Sequence, residues 1–309
     1  MTAIDLVSAK VRSVAAGSAP PHRRRSLTPY LFLLVPLGLL ILLTYLPLAN
    51  MVQYSFFKWD GISKDRTFVG LGNYIEFFTR PELFGVFFVS LYYIVASFVQ
   101  IGVALYLATI LSYRVRFKNV FKGILFFPFL INGVAIALIF QYFLQPDGVL
   151  DTLLAGVGLH DPPLWLGDRG LVNISLASIS VWRYMGLNFV LFLGAIQSIP
   201  SEMLEAGAID GASRWQQFRY LIVPGIRPVI ALSFILAISG SLSAFEIPFI
   251  MLFGANGSAT FVIQTVITAF NNHKFGLASA MAIVLLVLVL LVTWLQRRIL
   301  PDDPVELTT

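Results

Sequence analysis

Six stretches of roughly 20 or more residues run through this chain with almost no ionisable side chain, and no other feature constrains its fold so tightly. At about 1.5 Å per residue, a helix of that length covers the ~30 Å hydrocarbon core of a bilayer. The stretches fall near residues 29–54, 84–111, 123–144, 171–197, 226–253 and 277–296. Continuous apolar runs predict helices, because barrel strands would show segments of about ten residues alternating in character. Composition agrees: 58% hydrophobic residues, 12% charged residues and a mean hydropathy of +0.83 lie outside the balance of a soluble domain. The expectation is an all-α membrane protein with six transmembrane helices. It divides into a basic arm (1–28), a transmembrane domain (29–298) and a tail (299–309), with a polar loop at 198–225.

Cations set the orientation. Fourteen of the 21 Lys and Arg residues lie on one side: the N-terminal arm, the 112–122 loop, the 198–227 segment and the Arg297–Arg298 flank. Six lie on the other side (Lys58, Lys64, Arg66, Arg80, Arg169 and Lys274), and Arg183 falls inside a span. The positive-inside bias then puts both termini and the polar loop in the cytoplasm of a bacterial-type cell membrane. The RRSL motif before the first span invites a twin-arginine export reading. The following run is of span length with five more behind it, so a basic anchor is the better account.

Several chemistries have no foothold. The chain has no cysteine, which excludes disulfides and thiolate metal sites. His22, His160 and His273 stand at no metal-ligand spacing, and no H-E-x-x-H or G-x-S-x-G pattern occurs. A phosphate-cradling G-x-x-x-x-G-K-[ST] loop is also missing, so an energised process would draw on a partner chain or an ion gradient. The chain is read as a non-enzyme with no cofactor or metal of its own.

The polar loop, EAGAIDGASRWQQFRYLIVP at Glu205–Pro224, interrupts some of the most apolar sequence. Ser201 is expected as an N-cap with Glu202 in the first turn of a short helix. Asp210–Gly211 supplies a turn, with the glycine free to take positive φ. Ser213 and Gln216 fit a capping box, and Trp215, Phe218 and Ile222 give a second short helix one apolar face. Pro224 and Pro228 mark its end. An interfacial loop and a docking element are both compatible with this shape. A DNA-binding helix-turn-helix is not, because three acids offset three basic residues.

This loop resembles the EAA loop of binding-protein-dependent ABC importer permeases, E-A-A-x-x-D-G-A with a later proline. Glu205, Ala206, Asp210, Gly211, Ala212 and Pro224 match; Gly207 replaces the third small residue, which lowers helix propensity by ~1 kcal/mol relative to alanine. FVGLGNY (Phe68–Tyr74), WRYMGLNFVLFLGAIQSIP (Trp182–Pro200) and FGLASAMAIVL (Phe275–Leu285) resemble the carbohydrate-uptake, MalF-like branch. LFGANGSAT from Leu252 departs from the Gly-rich turn usual there.

The resemblance implies a MetI-like permease fold in which the loop is a coupling helix. Glu205 would dock into a cytoplasmic ABC ATPase dimer, with Ala206, Gly207, Asp210, Gly211 and Ala212 shaping the contact. ATP and Mg²⁺ would bind to that partner. A second six-span permease, expected to be a different chain, would complete the path, and an extracytoplasmic binding protein would deliver a small saccharide or related polyol. Rigid-body movement would carry the ATPase stroke to the path.

Ionisable residues in hydrocarbon are costly, so Arg183 and Glu246 are candidates for the substrate path or for a structural pair between spans. Asn132, Asn188, Gln141 and Gln197 offer neutral hydrogen bonds suited to hydroxyls. A phosphorylated polyol fits less well, since the spans hold one arginine. Two alternatives come from other classes. A gradient-driven transporter or channel would use Arg183 and Glu246 but calls for several ionisable groups or broken helices at mid-membrane, ideally in matched halves, and the sequence offers this pair and no clear repeat. A membrane enzyme on lipid-linked sugars would need acids or histidines clustered at the interface; Asp147, Asp151, Asp161 and Asp168 lie in one external loop, where a solvated role is the ordinary reading.

Overall fold

The computed structural model describes residues 28–113 and 117–299. The expectations for the basic arm with its RRSL motif, for Arg114 and Arg116, and for the tail beyond Ile299 lie outside the described residues. The chain forms two units, one ending at Asn50 and one beginning at Met51.

In the first unit, helix α1 (Thr28–Leu40) contains Pro36 and is followed by a π turn at Ile41–Tyr45. The proline removes one backbone donor from the ladder, and the widened turn follows it in sequence. Helix α2 (Leu46–Tyr54) comes next, and Leu31–Tyr54 is long and apolar enough to cross a membrane.

The second unit opens with a small two-stranded sheet, β1 (Phe57–Lys58) antiparallel to β2 (Thr67–Phe68), and two short helices, α3 (Gly72–Thr79) and α4 (Pro81–Phe84). The FVGLGNY stretch fastens this region. Buried Asn73 donates its side-chain amide to the carbonyls of Ser55 (2.8 Å) and Phe57 (2.9 Å), and the Tyr74 hydroxyl bonds Ser55 Oγ at 2.8 Å. Phe77 of α3 packs with Phe261, Leu277 and Met281, which lie far along the chain.

Helices α5 (Phe87–Ser112), α6 (Lys118–Leu130), α7 (Gly133–Leu144), α8 (Val149–Gly156) and α9 (Val172–Gln197) follow. The expected third span is not one straight helix: α6 and α7 meet at 95°. Pro128 in the last turn of α6 lacks an N–H, Ile131 is extended (φ −72°, ψ 136°), and the Asn132 side chain then accepts the Val134 N–H at 2.8 Å to start α7. Among the described residues, five helical stretches are long and apolar enough to span, and this bent pair is the sixth if it counts as one.

Helix α9 is the central element, packed along both α5 and α6. Gly186 makes the approach to α6 possible, because a Cβ there would collide with the Leu125 carbonyl and the Phe126 backbone. The loop helices α10 (Ser201–Ile209), α11 (Arg214–Gln217) and α12 (Val223–Gly225) lead to α13 (Arg227–Leu242). The expected fifth span breaks at Ser243–Phe245 before α14 (Glu246–Leu252). Helix α15 (Phe261–Val266) runs into a π turn, and α16 (Phe275–Ile299) closes the fold. Exposed Phe88, Val95, Leu290 and Leu291 give the spans the apolar exterior that lipid tails solvate.

Candidate functional site

The polar loop folds as helix, turn, helix, with corrections to its details. Ser201 is the first residue of α10 rather than its cap; Pro200 precedes it, and its carbonyl accepts the Met203 N–H at 3.1 Å. Gly211 takes φ +80° as expected. Ala212 N–H donates to Gly207 O (2.9 Å) and Gly211 N–H to Ala208 O (3.1 Å), so α10 ends in a Schellman motif. The capping box forms in both directions: Gln216 N–H to Ser213 Oγ at 3.3 Å and Ser213 N–H to Gln216 Oε1 at 2.7 Å.

The second helix departs further from expectation. Helix α11 stops at Gln217, and a π turn (Phe218–Ile222) shifts the register, so Trp215, Phe218 and Ile222 do not share one buried face. Ile222 is fully buried, whereas Trp215 is 65% exposed and stacks on Phe218 at 5.3 Å.

Glu205, Ala206, Asp210 and Gly211 are exposed along α10 and its turn, while Gly207 and Ala212 are half-buried. A Cβ on Gly207 would lie 2.9 Å from Leu221 Cδ1, which gives the departure from alanine an inward packing reason. Ile222 and Ile226 sit in one apolar cluster with Ala104 and Ala108 of α5 and Phe189, Phe192 and Ile196 of α9. The Arg214 guanidinium lies 5.0 Å from the Tyr113 ring at the end of α5. Buried Gln217, which the sequence reading passed over, donates to Ala212 O at 3.1 Å and holds the turn against the second helix. The loop is thus an exposed acidic helix fixed to α5 and α9.

A second site lies between α5, α9 and α13. A cavity of about 470 Å³ is lined by Gln100, Asn188, Ser241 and Glu246 among others, together with Tyr93 and Ser233. The Tyr93 hydroxyl and Ser233 Oγ are buried and have no protein partner. Polar or small residues recur at 93, 97, 100 and 104 and again at 233, 237, 240 and 244, a helical period that marks one face of each span. That periodicity was a readable signal for Tyr93, Gln100 and Ser233, none of which the composition of the spans singled out.

Arg183 Nη1 donates to Glu246 Oε2 at 2.8 Å, joining α9 to the break before α14. Gly133 closes over them, because a Cβ there would fall on the carboxylate and the guanidinium. Asn188 is buried at the cavity wall. Two other candidates lie away from it: Asn132 caps α7, and Gln141 donates to Met251 O at 3.3 Å, tying α7 to α14. Gln197 is exposed at the end of α9.

At the opposite end of α9, ~39 Å from the polar loop along its axis, the LFGANGSAT turn takes positive φ at Phe253, Gly254, Asn256 and Gly257. Asn256 donates its side-chain amide to Leu166 O (2.9 Å), and Asn173 donates to Gly257 O (3.1 Å). Nearby acids are structural: Asp151 accepts from Trp165 Nε1 (2.9 Å) and from the Asp147 N–H (3.0 Å), and Asp168 accepts from the Gly170 N–H (2.6 Å).

Residues 100–302, which include the polar loop and most of the cavity wall, match the family described as binding-protein-dependent transport system inner membrane component. The chain belongs to this family. Among curated relatives of this inner membrane component, the probable ABC transporter permease protein YurN of Bacillus subtilis is 33% identical over 89% of this chain and 96% of that protein. The multiple sugar-binding transport system permease protein MsmF of Streptococcus mutans is 29% identical over 87% and 93%. A solved bacterial ABC transporter involved in import of the acidic polysaccharide alginate superposes with a TM-score of 0.77 at 22% identity, covering 89% of this chain and 97% of that one. The inner membrane component is therefore a multi-pass permease with the fold of ABC importer permeases.

Proposed function

We propose that this inner membrane component is one of two permeases in an ATP-driven importer for a carbohydrate or related polyol. Six spans, both termini in the cytoplasm and a cytoplasmic coupling loop complete the reading, with α6 and α7 together counted as one span. An extracytoplasmic binding protein delivers the substrate, and a pair of partner ATPases binds ATP and Mg²⁺.

The observation that carries it is the exposed acidic helix α10, closed by Gly211 and welded through Ile222 and Ile226 to α5 and α9. A docking element must present a surface and also transmit force, and a loop loosely attached to the spans would do only the first. Glu205 is the docking acid; Ala206, Asp210 and Gly211 shape the exposed surface, and Gly207 and Ala212 its packing.

The cavity suits sugar hydroxyls through Asn188, Gln100, Tyr93 and Ser233, and Glu246 lies at its wall with Arg183 behind it. Asn132 and Gln141 support the path by holding the ends of α7. Pairing between Arg183 and Glu246 also supplies a reason for both charges that needs no ion gradient.

Affinity purification from the native membrane in mild detergent tests this reading. Recovery of a P-loop ATPase and a second six-span protein is expected. Recovery of the chain alone, under conditions that keep other membrane complexes together, would overturn it.

A further inference from the structure

Among the described residues that line the cavity, Glu246 is the one with an acidic or basic side chain. Its partner is held away from the cavity: the Arg183 side chain is 11% exposed against 44% for Glu246. The guanidinium lies 5.2 Å from the Tyr184 ring, and its Nε is buried without a partner. Gly133 backs the pair, since any side chain there would displace it. Glu246 Oε2 is committed to Arg183, leaving Oε1 as an acceptor. The ion pair is therefore a fixed dipole with its negative end at the wall of a cavity that the unpartnered hydroxyls of Tyr93 and Ser233 also line.

We propose that Glu246 sets the charge of the substrate: the cavity accepts a neutral, hydroxyl-rich sugar unit and rejects uronates and sugar phosphates. This rests on the cavity being the substrate site of the importer. A hydroxyl can donate to Glu246 Oε1 and Asn188 Oδ1 and accept from Tyr93 or Gln100, so a neutral sugar satisfies the lining in both directions. A carboxylate or phosphate only accepts, and it meets the near end of the dipole first. Arg183 lies farther off and offsets only part of that repulsion. At an effective dielectric near 20, the remainder corresponds to about tenfold or more in binding. Arg183 acts as a positioning residue that holds Glu246 Oε2 and so orients the carboxylate.

Saturation-transfer NMR on the purified permease–ATPase complex, without binding protein, tests this with matched sugars. The probes are glucose, galactose and mannose against glucuronate, galacturonate and mannuronate at equal concentration. At least one neutral sugar is expected to give a signal, with its uronate at least about tenfold weaker. In Glu246→Gln the uronate should gain relative to its neutral match by a similar factor. The double variant Arg183→Met/Glu246→Gln removes both charges, and should also lose the discrimination if the single variant fails to fold. Equal signals from both members of a pair, signals from neither member of any pair, or unchanged discrimination in the variants would overturn the proposal. ATP-dependent uptake by the complete importer, reconstituted in proteoliposomes with its binding protein, separates the failures: if it persists, the importer reading stands without the charge filter.

Discussion

The backbone N–H of Ala212 donates to the carbonyl of Gly207 at 2.9 Å, five residues back along the chain. With Gly211 at φ +80° between them, this bond turns a short acidic helix into an element of fixed shape. Glu205 then stands on a rigid strut, and the strut's far end is buried among the spans through Ile222.

Replacing Gly211 tests the strut. A side chain in the left-handed region costs about 1–2 kcal/mol, and proline in addition cannot take that φ. Gly211→Val and Gly211→Pro are expected to insert in the membrane at wild-type levels yet retain less ATPase on co-purification, with proline the more severe. Wild-type ATPase retention in both would show that the turn's conformation is irrelevant to docking.

Gly133→Ala is expected to be costlier than an ordinary Gly→Ala change, because its Cβ meets the Arg183–Glu246 pair. Overpacking of this kind destabilises by about 1–3 kcal/mol. Gly102→Ala on α5 is the control, with nothing within 4 Å of the new methyl group. A lower thermal unfolding midpoint for the first and not the second, in one detergent, is the expected result.

Arg183→Met alone leaves Glu246 unpaired in a span. The loss should fall between that of an exposed pair, about 0–1 kcal/mol, and a buried one, about 3–5 kcal/mol, since the carboxylate is 44% exposed. Arg183→Met/Glu246→Leu should recover most of it. Denaturation of these two variants and of Glu246→Leu alone measures the coupling, and simple additivity would mean that the pair contributes nothing.

The 57–68 hairpin should respond to acid in a defined direction. The Asp60 carboxyl is held below its usual value of 3.8, first by the Ile62 N–H and then by Ser63. A lowered carboxyl pKa contributes order that is present above the unfolded value and lost as pH falls through the folded one, so the loss begins only below about pH 4. Trp59 Nε1 donates to Ser63 O at 2.8 Å, so Trp59 environment is the reporter when other tryptophans are replaced. Asp60→Ala should show the loosened signal already at neutral pH; a wild-type signal there would contradict the role.

Much of this arrangement was legible in the sequence. Long uncharged runs mark spans because the bilayer demands them, and Gly211 with Ser213 and Gln216 encodes a local turn and cap that need no tertiary partner. The bend at Asn132 does not show in hydropathy averaged over the run; its local signals are Pro128 and the Asn132–Gly133 pair. The π turn at Phe218–Ile222 was hidden: it inserts one residue into the period, which moves Trp215 off the buried face. Arg183 and Glu246 stood out by their cost in hydrocarbon. A pair between spans was one of the two readings open for them, and the structure shows the contact; that it forms at the Ser243–Phe245 break, with Gly133 opposite, is not written in the sequence.

The central claim is that α10 transmits ATP-driven movement through Glu205. The most direct measurement compares wild type and Glu205→Ala in proteoliposomes holding the complete importer, recording uptake per ATP hydrolysed and ATPase retention together. The account predicts normal insertion, weakened ATPase retention and loss of coupled uptake in the variant. Coupled uptake at the wild-type rate would contradict it.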